Sequence, residues 1–203
     1  MTRTVHPSCL RQPGRNSTPS FRWTAPAAAG IIAPDDPRRD ALTDYRIVAI
    51  SEATADAVRS TLASPQYGHP AHVEDARGYG PCRLCLRTFA VGEERRILFT
   101  YDPFEETGAP PLPGPVFIHE APCRRYPEDA GFPEELLEHP LTFVAYGEDR
   151  RLLAEEPVTN GDAEPVIGRL LGRPDVAYLH VRDTQAGCFD LRIERAEGVS
   201  PAT

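Results

Sequence analysis

Val176-Ala177-Tyr178-Leu179-His180-Val181-Arg182, joined through Asp183-Thr184-Gln185-Ala186-Gly187 to Cys188-Phe189-Asp190-Leu191-Arg192-Ile193-Glu194-Arg195, decides the fold class of this chain. Both halves alternate apolar and polar residues with a period of two, the mark of half-buried strands, and a short glycine-bearing connection makes them a hairpin. Leu179, Val181, Phe189, Leu191 and Ile193 are expected on the buried face. Tyr178, His180, Arg182, Cys188, Asp190, Arg192 and Glu194 are expected on the other. Residues opposite one another in a hairpin lie on one face, so even positions must pair with even positions. A turn centred on Gln185 sets Arg182 against Cys188 and His180 against Asp190. A turn centred on Ala186 sets Arg182 against Asp190 and His180 against Arg192. Under both registers the polar groups gather, either in solvent or around a site.

Working outward, residues 165–171 read as a helix closed by Gly172, with Pro174 just beyond. Residues 141–146 and 151–155 form a second hairpin across Gly147-Glu148-Asp149-Arg150, and residues 133–139 a short helix with proline in its first turn. Residues 116–119 are a strand. Residues 82–89 and 97–101 alternate like paired strands across Val91-Gly92-Glu93-Glu94. The stretch 63–80 reads as a connection, with His69 and His72 solvated, and 102–115 as a proline-rich loop. A strand at 45–50 leads to Ser51, which can cap a helix over 52–62 with Ala53, Ala57, Val58 and Leu62 on one face. Successive strands without intervening helices predict an α+β fold: a mainly antiparallel sheet with two or three helices packed on one face. Residues 1–40, rich in Pro, Ser, Arg and Ala without hydrophobic period, read as a disordered extension. Residues 41–197 read as one α+β domain, and 198–203 as a flexible tail.

Composition excludes several chemistries. All 22 basic residues are arginine, so no lysine can form a Schiff base or complete a Walker-type phosphate loop. A net charge of -8 repels phosphate backbones and anionic bilayers, so neither nucleic acid nor membrane is an expected partner. The alanine-rich stretch 25–33 is broken by Pro26 and Gly30 and makes no signal-peptide core, so a cytoplasmic location is expected. In that reducing compartment the five cysteines should be free thiols or metal ligands.

Several blocks carry a family likeness: Tyr79-Gly80-Pro81-Cys82-Arg83, Gly114-Pro115-Val116-Phe117-Ile118-His119, Ala177-Tyr178-Leu179-His180-Val181-Arg182, Gly187-Cys188-Phe189 and Arg192-Ile193-Glu194-Arg195. In this order and spacing the chain resembles the bacterial domain-of-unknown-function family 1203. The resemblance implies a single compact bacterial domain, and it brings no assigned activity or catalytic residue.

Two constellations could carry chemistry. Cys82, Cys85, His119 and Cys123 are the ligand types zinc takes, with a two-residue spacer in the first pair. Against it, a continuous strand over 82–89 would point Cys82 and Cys85 to opposite faces. Leu86 also stands where metal-binding turns usually place glycine, and the bland alternative is that one of these cysteines is a small core residue. Strand flanks also argue against a redox pair, which prefers a helix N-terminus. The second constellation is thiol catalysis, with Cys188 as nucleophile, His180 as base and Asp190 or Asp183 orienting the ring. Its bland counterpart is a wet sheet face on which His180 pairs with Asp190. The acidic pairs, such as Glu93-Glu94 and Glu134-Glu135, fall in turns and helix starts, where solvation explains them. The expected function is a small-molecule enzyme or ligand-binding domain with a Cys/His-lined polar site on the sheet. The alternative is a non-catalytic protein-interaction domain in which these residues are structural.

Overall fold

The structure, a computed structural model, describes residues 44–105, 111–159 and 161–196. The expected extension over 1–40 and tail over 198–203 lie outside the described residues. In chain order come β1 (Tyr45–Val48), α1 (Glu52–Thr61), β2 (His72–Asp75), β3 (Arg95–Tyr101) and β4 (Gly114–His119). After a 3-10 turn over Glu134–Glu138 follow β5 (Leu141–Tyr146), β6 (Leu152–Val158), α2 (Glu164–Leu171), β7 (Tyr178–Asp183) and β8 (Phe189–Arg195). The strands form two antiparallel sheets, a five-stranded one in the order β1-β8-β7-β5-β6 and a three-stranded one in the order β2-β3-β4. The sheet-rich α+β expectation holds, with two sheets where one was expected.

The hairpin that decided the class is β7–β8. His180 lies opposite Arg192 and Val181 opposite Leu191, the register centred on Ala186; the pairing then shifts to Arg182 opposite Phe189. A bulge adds one residue to one strand and so reverses which face the following side chains take. Phe189 therefore leaves the expected core face: its ring meets His180 at 5.0 Å and Tyr101 at 6.0 Å. Leu179, Val181, Leu191 and Ile193 remain in the main core with Leu141, Phe143 and the Ile167, Leu170 and Leu171 face of α2.

The helices do not share one layer. α2 packs on the large sheet, whereas Ala55 and Val58 of α1 join the core of the small sheet with Ile97, Phe99, Val116, Phe117 and Ile118. The expected apolar face of α1 is also rotated. Leu62 ends the helix in a left-handed conformation at φ 49° and is exposed, and Ala53 is exposed too. Ser51 caps the helix as expected, accepting from the Thr54 amide at 3.0 Å.

β2 falls in the stretch read as a connection. An edge strand with no fully buried residue carries little apolar alternation, and this one is held by cross-strand charge: Glu74 lies opposite Arg96, with Oε1 2.6 Å from its Nη2. His72 is exposed, as expected, although it stands in a strand. Among the described residues no helix is long and apolar enough to cross a membrane.

Candidate metal centre

Residues 82–89 are not a strand. Cys82 makes a single parallel bridge to Phe117, after which the chain turns: the Leu86 amide donates to Cys82 O at 2.8 Å and the Cys82 amide to Arg87 O at 2.9 Å. Leu86 completes the turn at φ 58°, in the left-handed region where a glycine was missed. That conformation costs a side-chain-bearing residue about 1–2 kcal/mol. Leu86 is nevertheless held there because its side chain is buried in the main core, a gain of roughly 2–3 kcal/mol. Burial exceeds strain, so Leu86→Gly is expected to lower stability by about 1–3 kcal/mol although it relaxes the backbone. Urea unfolding measures this; a Gly variant more stable than the parent would show that the leucine is not the anchor.

The turn brings Cys82 and Cys85 to one side, and the end of β4 delivers His119, with Cys123 four residues on. Their four ligand atoms all lie within 4.8 Å of one another. Cys82 Sγ is 3.8 Å from Cys123 Sγ, and Cys85 Sγ is 3.4 Å from His119 Nδ1. Around an ion about 2.3 Å from each sulfur and about 2.1 Å from nitrogen, a regular tetrahedron has edges of about 3.8 Å between sulfurs and about 3.6 Å from sulfur to nitrogen. The donor set and its spacing fit zinc. The opposite-faces objection falls with the strand it assumed.

Groups around the cluster orient it. His119 Nε2 faces Glu94 Oε2 at 3.3 Å, and that carboxylate is fixed by the Ala90 amide at 2.8 Å. The arrangement leaves Nδ1 as the inward ligand atom and reproduces the carboxylate–histidine pairing found behind metal-bound imidazoles. Arg59, from α1, donates through Nη2 to Cys123 Sγ at 3.4 Å and through Nε to His119 O at 3.1 Å. The His119 amide donates to Cys82 Sγ at 3.4 Å, and Arg87 Nη2 lies 3.8 Å from Glu94 Oε1. Hydrogen bonds from Cys123 and then Cys85 hold the Cys82 thiol far below its ordinary value, and the same contact with Cys82 pushes Cys123 up. Burial pulls His119 down, but Cys85 and Glu94 outweigh it and leave the ring above its usual value. Guanidinium and amide donors aimed at sulfur favour thiolates, the form that binds a metal.

Reading the sequence alone missed Glu94, Arg59 and Arg87 as supports of the cluster. Glu94 was one member of an acidic turn pair, and nothing in local spacing links α1 to residue 123.

The other expected constellation is not assembled. His180 lies fully buried on the second face of the large sheet, its ring 4.6 Å from Phe104, 5.2 Å from Tyr146 and 5.2 Å from Tyr178. Burial, and then Arg182, Arg192 and Arg150, hold its pKa well below the usual histidine value. Neither ring nitrogen has a hydrogen-bond partner, so the ring is bonded to neither Asp190 nor Cys188. Asp190, also fully buried, is paired with Arg83, Nη2 to Oδ1 2.8 Å. Burial pushes its carboxyl up to about 6 against the opposing pull of Arg83. Cys188 sits before the hairpin's second strand with Sγ 3.9 Å from Ala186 O.

No curated protein and no solved structure matches the chain. A family model does: the one described as protein of unknown function (DUF1203) matches residues 79–195. That span begins three residues before Cys82, runs through Cys85, His119 and Cys123, and ends with β8. The chain belongs to the DUF1203 family.

Proposed function

We propose that Cys82, Cys85, His119 and Cys123 hold one zinc ion with a structural role, so that the protein is a zinc-stapled binding domain and not a zinc hydrolase. The observation that carries this reading is the agreement of the sulfur–sulfur and sulfur–nitrogen separations, 3.8 and 3.4 Å, with the edges of a zinc tetrahedron. Four protein ligands close the coordination shell, whereas a catalytic zinc keeps one position for water. The burial of Cys82, Cys85 and His119 supports the same assignment. The ion would tie the 82–87 turn to the end of β4, with Arg59 linking both to α1.

Native mass spectrometry of protein made in zinc-replete medium tests this. One zinc per chain is expected. Cobalt exchange should give tetrahedral ligand-field bands with thiolate charge transfer, and both signals should vanish in Cys82→Ser/Cys123→Ser. An ion that persists in the double variant, or none in the parent, sinks the proposal.

A further inference from the structure

Among the described residues nine buried side-chain nitrogen and oxygen atoms lack a hydrogen-bond partner, and seven of them belong to the β7–β8 hairpin. They are Tyr178 Oη, both ring nitrogens of His180, Arg182 Nη2, both carboxylate oxygens of Asp190 and Arg192 Nε. Asp190 is compensated by the Arg83 ion pair at 2.8 Å. Of the other five, Arg192 Nε belongs to a side chain already ion-paired through Nη2 with Glu194, whereas the His180 and Tyr178 atoms have no such cover. An unmet buried donor or acceptor is costly enough that native folds rarely leave one, and a concentration of them on one face marks a missing partner.

The chemistry of the face says what that partner is. His180 stands directly opposite Arg192 in the ladder, and Arg182 follows two residues along β7. The Arg192 guanidinium lies 4.1 Å over the Tyr178 ring, and that of Arg150 lies 3.9 Å over the Phe104 ring. Each unmet guanidinium atom is an N–H donor. Arg182 spends Nη1 on Gly187 O at 3.1 Å and keeps Nη2 unmet; Arg192 spends Nη2 on Glu194 Oε1 at 2.5 Å and keeps Nε unmet. Glu194 is already shared with Arg46, whose Nη2 is 2.5 Å from its Oε2. A neutral imidazole and a phenol add two further donors. What is lacking is an acceptor for these donors, and carboxylate and phosphate groups are the acceptors a guanidinium pairs with best. Phe104, Tyr146 and Phe189 wall the histidine with flat apolar surface.

We propose that this face of β7–β8 binds a small organic oxyanion, a carboxylate or phosphate monoester on a flat apolar body, with Arg182 and Arg192 meeting its charge and His180 and Tyr178 completing its hydrogen bonds. The site is independent of the metal ligands, so it stands or falls separately from the zinc reading.

Calorimetric titration of the full zinc-loaded chain with benzoate, phenyl phosphate, inorganic phosphate and benzyl alcohol tests it. At least one of the two aromatic anions is expected to bind with a dissociation constant of about 1 mM or tighter, a range open to fragments of that size. The tighter of the two names the head group. Benzyl alcohol, lacking the charge, and inorganic phosphate, lacking the body, should bind at least about tenfold more weakly. Arg182→Gln and Arg192→Gln should each weaken anion binding by about tenfold or more, the loss expected for one charge-assisted hydrogen bond. Arg182→Gln decides the matter if removing the Glu194 partner unfolds Arg192→Gln. Silence from both aromatic anions, benzyl alcohol binding as tightly as they do, or parental affinity in Arg182→Gln would each overturn the assignment.

Discussion

Cys82→Ser is expected to abolish zinc binding and to leave the three-stranded sheet unfolded at room temperature. The Cys82 thiol is fully buried, faces Cys123 at 3.8 Å and accepts from the His119 amide at 3.4 Å; its backbone bonds both ends of the 82–87 turn. Structural zinc contributes about 10–16 kcal/mol in small domains. That matches or exceeds the whole stability of an ordinary domain, about 5–15 kcal/mol. Cys82 and Cys85 are two of the thirteen buried residues of the small-sheet core, so the proposed ion would be tied directly into that core. Hydrogen exchange should therefore show β3 and β4 losing protection first, ahead of β5 and β7, whose core lies around α2. Parental protection of β3 and β4 in the serine variant would mean that the sheet folds on its apolar contacts alone.

Arg83→Ala should cost about 3–5 kcal/mol, because it strands a fully buried carboxylate without its counter-charge. Arg83 meets Asp190 at 2.8 Å, donates through Nε to Phe189 O at 2.7 Å and through Nη1 to Pro81 O at 2.5 Å. It thereby fastens the cysteine-bearing turn to β8. Lysine, with one compact charge, cannot serve three divergent acceptors, so Arg83→Lys should recover little. The pH dependence separates this electrostatic account from simple loss of packing. Asp190 is raised from 3.8 to about 6 in the folded protein, so between those values the folded state holds a proton that the unfolded chain releases. Stability from this group therefore falls as pH rises through that window. Arg83 lowers the Asp190 pKa, and without it the window extends upward. The variant's deficit should be largest above pH 7 and smallest near pH 4–5, and Arg83→Ala/Asp190→Asn should regain part of the loss. A deficit equal at all pH values, measured by urea unfolding of variant and parent, would show that Asp190 is not the cause.

Elements with a regular apolar period were readable in advance. β5, β6, β7, β8, α2 and the Ser51-capped start of α1 stand close to where alternation, capping and glycine punctuation set them. The failures share one physical cause: each depended on contacts remote in sequence. β2 has no buried residue and exists because Arg95 and Arg96 lie opposite its acidic residues. Residues 82–89 alternate like a strand, yet become a turn because burial of Leu86 in the other core outweighs its left-handed backbone. Phe189 changes faces because a bulge shifts the register at Arg182.

The four residue types suited to zinc, their chain positions, the family likeness and the antiparallel hairpins were all present in the order of amino acids, since they follow from side-chain chemistry and a period of two. Whether two cysteines three apart meet or part, and whether His180 pairs with Asp190 or stands unmet beside two arginines, was decided by the tertiary structure alone. Those outcomes hang on a left-handed turn residue and a one-residue bulge. Both are stabilised by packing against residues distant in the chain, which no local pattern encodes.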